Sequence, residues 1–87
     1  MAAFSPGNRA KAISYGTNTK VRLTSKSNGK HVAEYLRVAG GDDVYHLWNA
    51  SGPGTSKVSD AGSTVVKLRA CNWVPDNDDD CGGWSYH

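Results

Sequence analysis

The chain has two cysteines, Cys71 and Cys81, and the nine residues between them read Asn72-Trp73-Val74-Pro75-Asp76-Asn77-Asp78-Asp79-Asp80. A disulfide joining them requires an oxidising compartment. It closes an acidic, turn-forming loop with an indole and a proline at its entry, which reads as a stapled hairpin end presented to solvent. Such a short closed loop contributes about 2–3 kcal/mol on the chain-entropy model, a sizeable share of the roughly 5–10 kcal/mol available to a small domain. Two cysteines cannot complete a zinc site, and His31, His46 and His87 lack paired-ligand spacing. Cys-x-x-Cys, the usual redox-active arrangement, is absent.

A chain of 87 residues makes one domain that buries roughly 60–65% of its unfolded surface. No apolar run reaches the length of a membrane span, and the start Met-Ala-Ala-Phe-Ser-Pro lacks a signal peptide's hydrophobic centre. Cysteine chemistry therefore carries the expectation of a secreted, extracellular protein, with Met1 standing where a removed leader ended, near Ala2-Ala3. The net charge is +2, unevenly spread. Residues 1–40 hold Arg9, Lys11, Lys20, Arg22, Lys26, Lys30 and Arg37 against Glu34, while residues 76–87 hold four Asp and no Lys or Arg. Lys20, Arg22, Lys26 and Lys30 fall on alternating and turn positions, where any soluble strand puts solvated side chains, so nucleic acid is not an expected partner.

Residues 1–12 show no period and carry Pro6 and Gly7, so they read as an N-terminal arm whose only large apolar group is Phe4; residues 13–87 form a single β domain. Period-two patterning runs through Ile13 and Tyr15, and through Val21 and Leu23 between Lys20, Arg22 and Thr24. Asn28-Gly29 signals a hairpin to the run starting at His31. With Gly29 in a left-handed bulge position, the expected register sets Arg22 opposite Glu34 and Leu23 opposite Ala33. Residues 31–39 also fit a helix ending at Gly40-Gly41, but the preceding turn and the β-branched and aromatic content favour a strand. Val44 to Trp48, a short strand near Lys57-Val58 and the run Thr64 to Cys71 follow. In the last, Val66, Leu68 and Ala70 take one face and Lys67 and Arg69 the other. Trp84 and Tyr86 alternate and return beside it. The expected fold is all-β, a small antiparallel β-sandwich or partly open Greek-key barrel with one disulfide.

Catalytic motifs are missing: there is no Gly-x-Ser-x-Gly elbow, phosphate-binding glycine loop or His-Glu-x-x-His. Glu34 is the only glutamate, so a glycosidase-like pair would need Asp42, Asp43 or Asp60, all beside turns. No enzyme and no cofactor are expected. Asp76, Asp78 and Asp80 begin like a calcium loop, but Cys81 stands where the glycine belongs and His87 where the bidentate glutamate belongs; the run reads as an acidic solubilising turn, with no metal. Most of the aromatics are expected in the core. Trp73, at the mouth of the stapled loop beside Val74-Pro75, is the candidate for an exposed anchor. The expected binding residues are Phe4, Trp73, Pro75, Asp76 and Asp78.

The run Val44-Tyr45-His46-Leu47-Trp48-Asn49-Ala50-Ser51-Gly52-Pro53-Gly54-Thr55, then Val65-Val66-Lys67-Leu68-Arg69-Ala70-Cys71, closed by Asp80-Cys81-Gly82-Gly83-Trp84, resembles the small secreted single-disulfide β proteins of Streptomyces and related actinobacteria. There a Leu-Trp-Asn turn precedes a strand ending in Ala-Cys, and a Cys-Gly-x-Trp close follows. Some members resemble the adaptor subunit of umbrella toxin particles, which joins a lectin-like protein to a long toxin-bearing one. The resemblance implies a protein-interaction module whose partners are other secreted proteins, toxin-complex subunits or a protease, with the arm and loops as contact surfaces. Two alternatives stay open: a protease inhibitor or antimicrobial protein of Greek-key type, probing with the Cys71–Cys81 loop, and a carbohydrate-binding module, which requires a flat row of exposed aromatics rather than one anchor.

Overall fold

Short alternating segments separated by Gly, Pro, Asn and Ser cannot bury their apolar face alone, and here they do so by stacking as two antiparallel sheets. The computed structural model describes residues 1–76 and 78–87. The first sheet contains β1 (Ala2–Phe4), β2 (Ala10–Tyr15), β3 (Lys20–Ser25) and β6 (Ser56–Val58), in the order β1-β2-β3-β6. The second contains β4 (His31–Arg37), β5 (Tyr45–Asn49), β7 (Val65–Asn72), β8 (Asp80–Cys81) and β9 (Ser85–Tyr86). Its order is β5-β4-β7, with β8 and β9 both pairing the far side of β7. This is the all-β sandwich with one disulfide, Cys71–Cys81, that the patterning implies. The two cysteines face each other across β7 and β8.

The space between the sheets is filled by small side chains. Ala12 and Leu23 from the first sheet meet Ala33, Leu68 and Ala70 from the second, each fully buried. Tyr35 is the one aromatic residue in this cluster, so the expectation that most of the aromatics lie in the core is corrected. Alanine lets the backbones approach closely and leaves little room for an indole between the layers. One register detail also differs. Leu36 pairs with Lys67 but Arg37 pairs with Val65, so β7 carries one extra residue, Val66. The bulge turns Val65 into the core in place of Val66, while Leu68 and Ala70 face inward as their alternation requires.

Two further expectations are corrected. Residues 1–12 are not a loose arm: Ala3 pairs with Ala12 across β1 and β2, and both are buried. Gly82 explains part of the fit, because a Cβ there would collide with the carbonyl oxygen of Phe4. The Asn28-Gly29 turn, with Gly29 at φ 101°, does not close a hairpin either. β3 pairs with β2 and β6, and β4 with β5 and β7, so the turn carries the chain from one sheet to the other. Arg22 therefore lies opposite Ile13 and Val58, and the partner of Glu34 is Arg69. A local turn signal fixes where the chain reverses, but the apolar face of each strand decides which sheet it joins.

One end of the interior is polar. Asn49, His31 and Asn72 occupy a single cross-strand row on the inner face, and all are buried. The Asn49 amide donates to the carbonyls of Leu23 at 3.2 Å and Thr55 at 3.1 Å, and its oxygen accepts from the Ser51 amide and the Thr55 hydroxyl. Every hydrogen-bonding capacity of that side chain is used, and its bonds to Ser51 and Thr55 hold the turn that follows β5. His31 lies 2.9 Å from the Ser25 hydroxyl through Nδ1. Burial, and secondarily the charge of Arg9, hold its pKa below the usual histidine value.

A depressed histidine pKa means that the unfolded chain takes up a proton the folded one refuses. Stability contributed by neutral His31 is therefore full above the unfolded value, about 6.5, and declines as pH falls below it. The melting temperature measured between pH 8 and pH 5 is expected to drop on acidification, and His31→Gln is expected to flatten that drop. An unchanged slope in the variant would contradict this account.

Candidate functional site

On β4, Ala33 and Tyr35 point into the core, so alternation turns Val32, Glu34 and Leu36 to the outer face of the second sheet. Their cross-strand neighbours define that face. Val32 lies between Trp48 of β5 and Cys71 of β7, and Glu34 between His46 and Arg69. Lys67 follows opposite Leu36, with Tyr86 of β9 beside it. All three tryptophans have their rings against cations of this side. Trp48 and Trp73 are each 44% exposed and Tyr86 is 68% exposed, whereas Trp84 is half-buried.

The side chains form an unbroken series of contacts. The Lys30 ammonium lies 4.9 Å from the Trp73 ring centroid and 5.3 Å from that of Trp48. Trp48 stacks on His46 at 6.4 Å and 11°. His46 Nε2 is 3.4 Å from one oxygen of Glu34. The other oxygen accepts from Arg69 Nε at 2.7 Å and Nη2 at 2.5 Å. The guanidinium then lies 4.5 Å from the Trp84 ring centroid, where Lys67 also sits at 4.4 Å. Cations held against indole faces fix the orientation of both partners. Val32 and Cys71, each fully buried yet outside the main core cluster, lie on this same face. A small second apolar centre, built on the disulfide, thus sits on the outer side of the sheet.

Of the five expected binding residues, only Trp73 belongs to this series. Pro75, Asp76 and Asp78 are exposed on the following loop, where Asp76 takes a left-handed φ of 60°; Asn77, in the acidic turn, lies outside the described residues. Phe4 is elsewhere: its ring packs with Lys11 and Lys26 on the first sheet. Trp48 and Trp84 are not singled out by the sequence, because aromatic count says nothing about facing. Alternation in β5 does: with Leu47 packed on the core, Trp48 must turn outward.

Two other features have structural explanations. Glu34 and the two cysteine sulfurs lie within 4.8 Å of one another, but the sulfurs are bonded to each other and cannot act as thiolate ligands. A groove between β5 and the segment after β6 is lined by Tyr45, Leu47, Val58 and Arg37. Arg37 donates to the carbonyls of Thr19, Asp60 and Ser63, at 2.9, 3.0 and 2.6 Å, and so clamps the loop that forms the groove wall. Compared with models of protein families, with curated proteins and with solved structures, the chain matches none.

The Glu34–Arg69 pair is half-shielded from water, so losing one member strands the other. Glu34→Leu alone is expected to destabilise the fold by about 1–2 kcal/mol, the value for a partly solvated pair, and Glu34→Leu with Arg69→Leu by less. Urea unfolding checks this; a double variant as unstable as the sum of the two singles would show that the pair carries no coupling.

Proposed function

We propose that the protein is a secreted, non-catalytic interaction module that binds a partner protein through the outer face of its second sheet. The observation that carries the reading is the placement of Trp48, Trp73 and Trp84 together outside the core, interleaved with Lys30, Lys67 and Arg69. Leaving three indoles near water sacrifices the largest apolar contribution that a small domain has. Trp, Tyr and Arg are also the residues on which protein interfaces concentrate their binding free energy. Rings already held by neighbouring cations lose little freedom on binding, so contact with them is efficient.

The disulfide is in keeping with an extracellular setting, and no helix among the described residues is long and apolar enough to cross a membrane. The resemblance to small secreted actinobacterial proteins supports a more specific role, an adaptor joining subunits of an extracellular antibacterial toxin complex. A second reading, carbohydrate binding, is favoured by the same tryptophans, since several indoles on one sheet face suit stacking on sugar rings.

Affinity capture from culture fluid of the source organism separates the two. Wild-type protein is expected to recover a secreted protein in stoichiometric amount, and Trp73→Ala and Trp48→Ala at least tenfold less, with unchanged melting curves. Recovery that soluble glycans compete away would favour carbohydrate binding. Unfolding of Trp73→Ala would place that ring in the core and remove the basis of both readings.

A further inference from the structure

The first sheet also has an outer face, and it is chemically unlike the tryptophan face. Ala12, Val21 and Leu23 point into the core, so alternation turns Lys11, Ile13 and Tyr15 of β2 and Lys20, Arg22 and Thr24 of β3 outward. Register places Phe4 beside Lys11, and Val58 beside Arg22. Two cations attend each ring. Lys11 and Lys26 lie 5.5 and 5.2 Å from the Phe4 ring centroid, and Lys20 and Arg22 lie 6.0 and 4.8 Å from that of Tyr15. Phe4 is 46% and Val58 55% exposed.

No carboxylate neutralises this surface from within. The first acidic residue in the sequence is Glu34, so β1, β2 and β3 contain none, and β6 reads Ser-Lys-Val. The ion pairs among the described residues are those of Glu34, on the other sheet. The aspartates lie in loops, Asp42, Asp43, Asp60, Asp76, Asp78 and Asp79, or in β8 of the second sheet, Asp80. A soluble strand ordinarily mixes signs on its wet face; this one is cationic throughout, with Phe4, Ile13, Tyr15 and Val58 set between the charges.

From this surface we infer that the outer face of the first sheet is a second docking site, and that its occupant is an acidic, partly apolar segment of a partner protein in extended conformation. Carboxylates of the segment meet Lys11, Lys20, Arg22 and Lys26, and its apolar side chains cover Ile13 and Val58. The four strands span about 14 Å at the usual strand spacing, and six or seven extended residues cover a face of that size and a little more. A polyphosphate or sulfated glycan matches the charges but leaves the apolar positions uncovered. Single-stranded nucleic acid binds such sheets by stacking bases on open ring faces, whereas the rings of Phe4 and Tyr15 here have cations held against them. This site is independent of the tryptophan face and does not rest on what binds there.

The test uses the full chain and a fluorescein-labelled twelve-residue peptide of three Glu-Glu-Leu-Leu repeats, which in extended conformation presents both carboxylates and leucines on each face, followed by anisotropy and by amide chemical shifts. Binding is expected to weaken at least tenfold between 50 and 300 mM salt, and at least tenfold in Lys11→Gln/Arg22→Gln, both exposed or half-exposed positions. It is expected to disappear for the peptide with Gln in place of Glu and to be unchanged in Trp48→Ala. Shifts are expected at Phe4, Lys11, Ile13 and Arg22. Three results would overturn the proposal: shifts on β5 and β7 instead, indifference to the paired variant, or tighter binding of polyphosphate or oligo-dT than of the peptide.

Discussion

β4 and β7 pair along almost their whole length, from His31 opposite Asn72 to Arg37 opposite Val65, and the core and the outer face of the second sheet both hang on that ladder. Inward, it delivers Ala33, Tyr35, Leu68 and Ala70 to the core. Outward, it sets Val32 against Cys71 and Glu34 against Arg69, which anchors the disulfide and the ion pair on the same face. The pairing is non-local, so closing it orders the intervening chain, including β5 and β6. Its end is secured covalently, because β8 returns along β7 and Cys81 meets Cys71.

The two sheets divide the chemistry between them. A core of alanine and aliphatic side chains lets the layers pack closely and leaves most aromatic rings outside, where cations from neighbouring strands occupy their faces. Both outer faces therefore combine rings with positive charge, but they differ in compensation. The second sheet includes Glu34, which neutralises Arg69 and approaches His46; the first has no counterpart. The aromatic residues contribute less to folding than their number suggests, and more to what the surfaces can hold. Stability rests instead on the tight inter-sheet packing, the disulfide, and the saturated hydrogen bonds of Asn49.

Much of the fold is legible in the residues. Period two in Val21-Leu23 and Leu68-Ala70 locates strands, β-branched and aromatic content places another from His31 although its spacing also fits a helix, and the cysteine spacing locates the staple. Strand partners are less legible. Asn28-Gly29 marks a reversal, yet it does not say whether the next strand joins the same sheet or crosses to the other, since that depends on which partner completes each apolar face. The bulge at Val66 is invisible for the same reason: one inserted residue changes facing without changing composition. Trp73 stood out at the mouth of the stapled loop, but its association with Trp48 and Trp84 arises from long-range register, with Lys30 linking residues that are 25 positions apart in sequence. Phe4 was legible as an unburied ring and not as a member of a sheet.

Placement of the tryptophans outside the core is the claim on which the functional reading rests, and collisional quenching of native tryptophan fluorescence tests it most directly. Each indole has a cation beside it, so at low salt iodide is expected to quench strongly and caesium weakly, and neutral acrylamide to reach most of the emission. Weak quenching by acrylamide and iodide alike, with blue-shifted emission that moves red only on unfolding, would put the indoles inside and contradict the account.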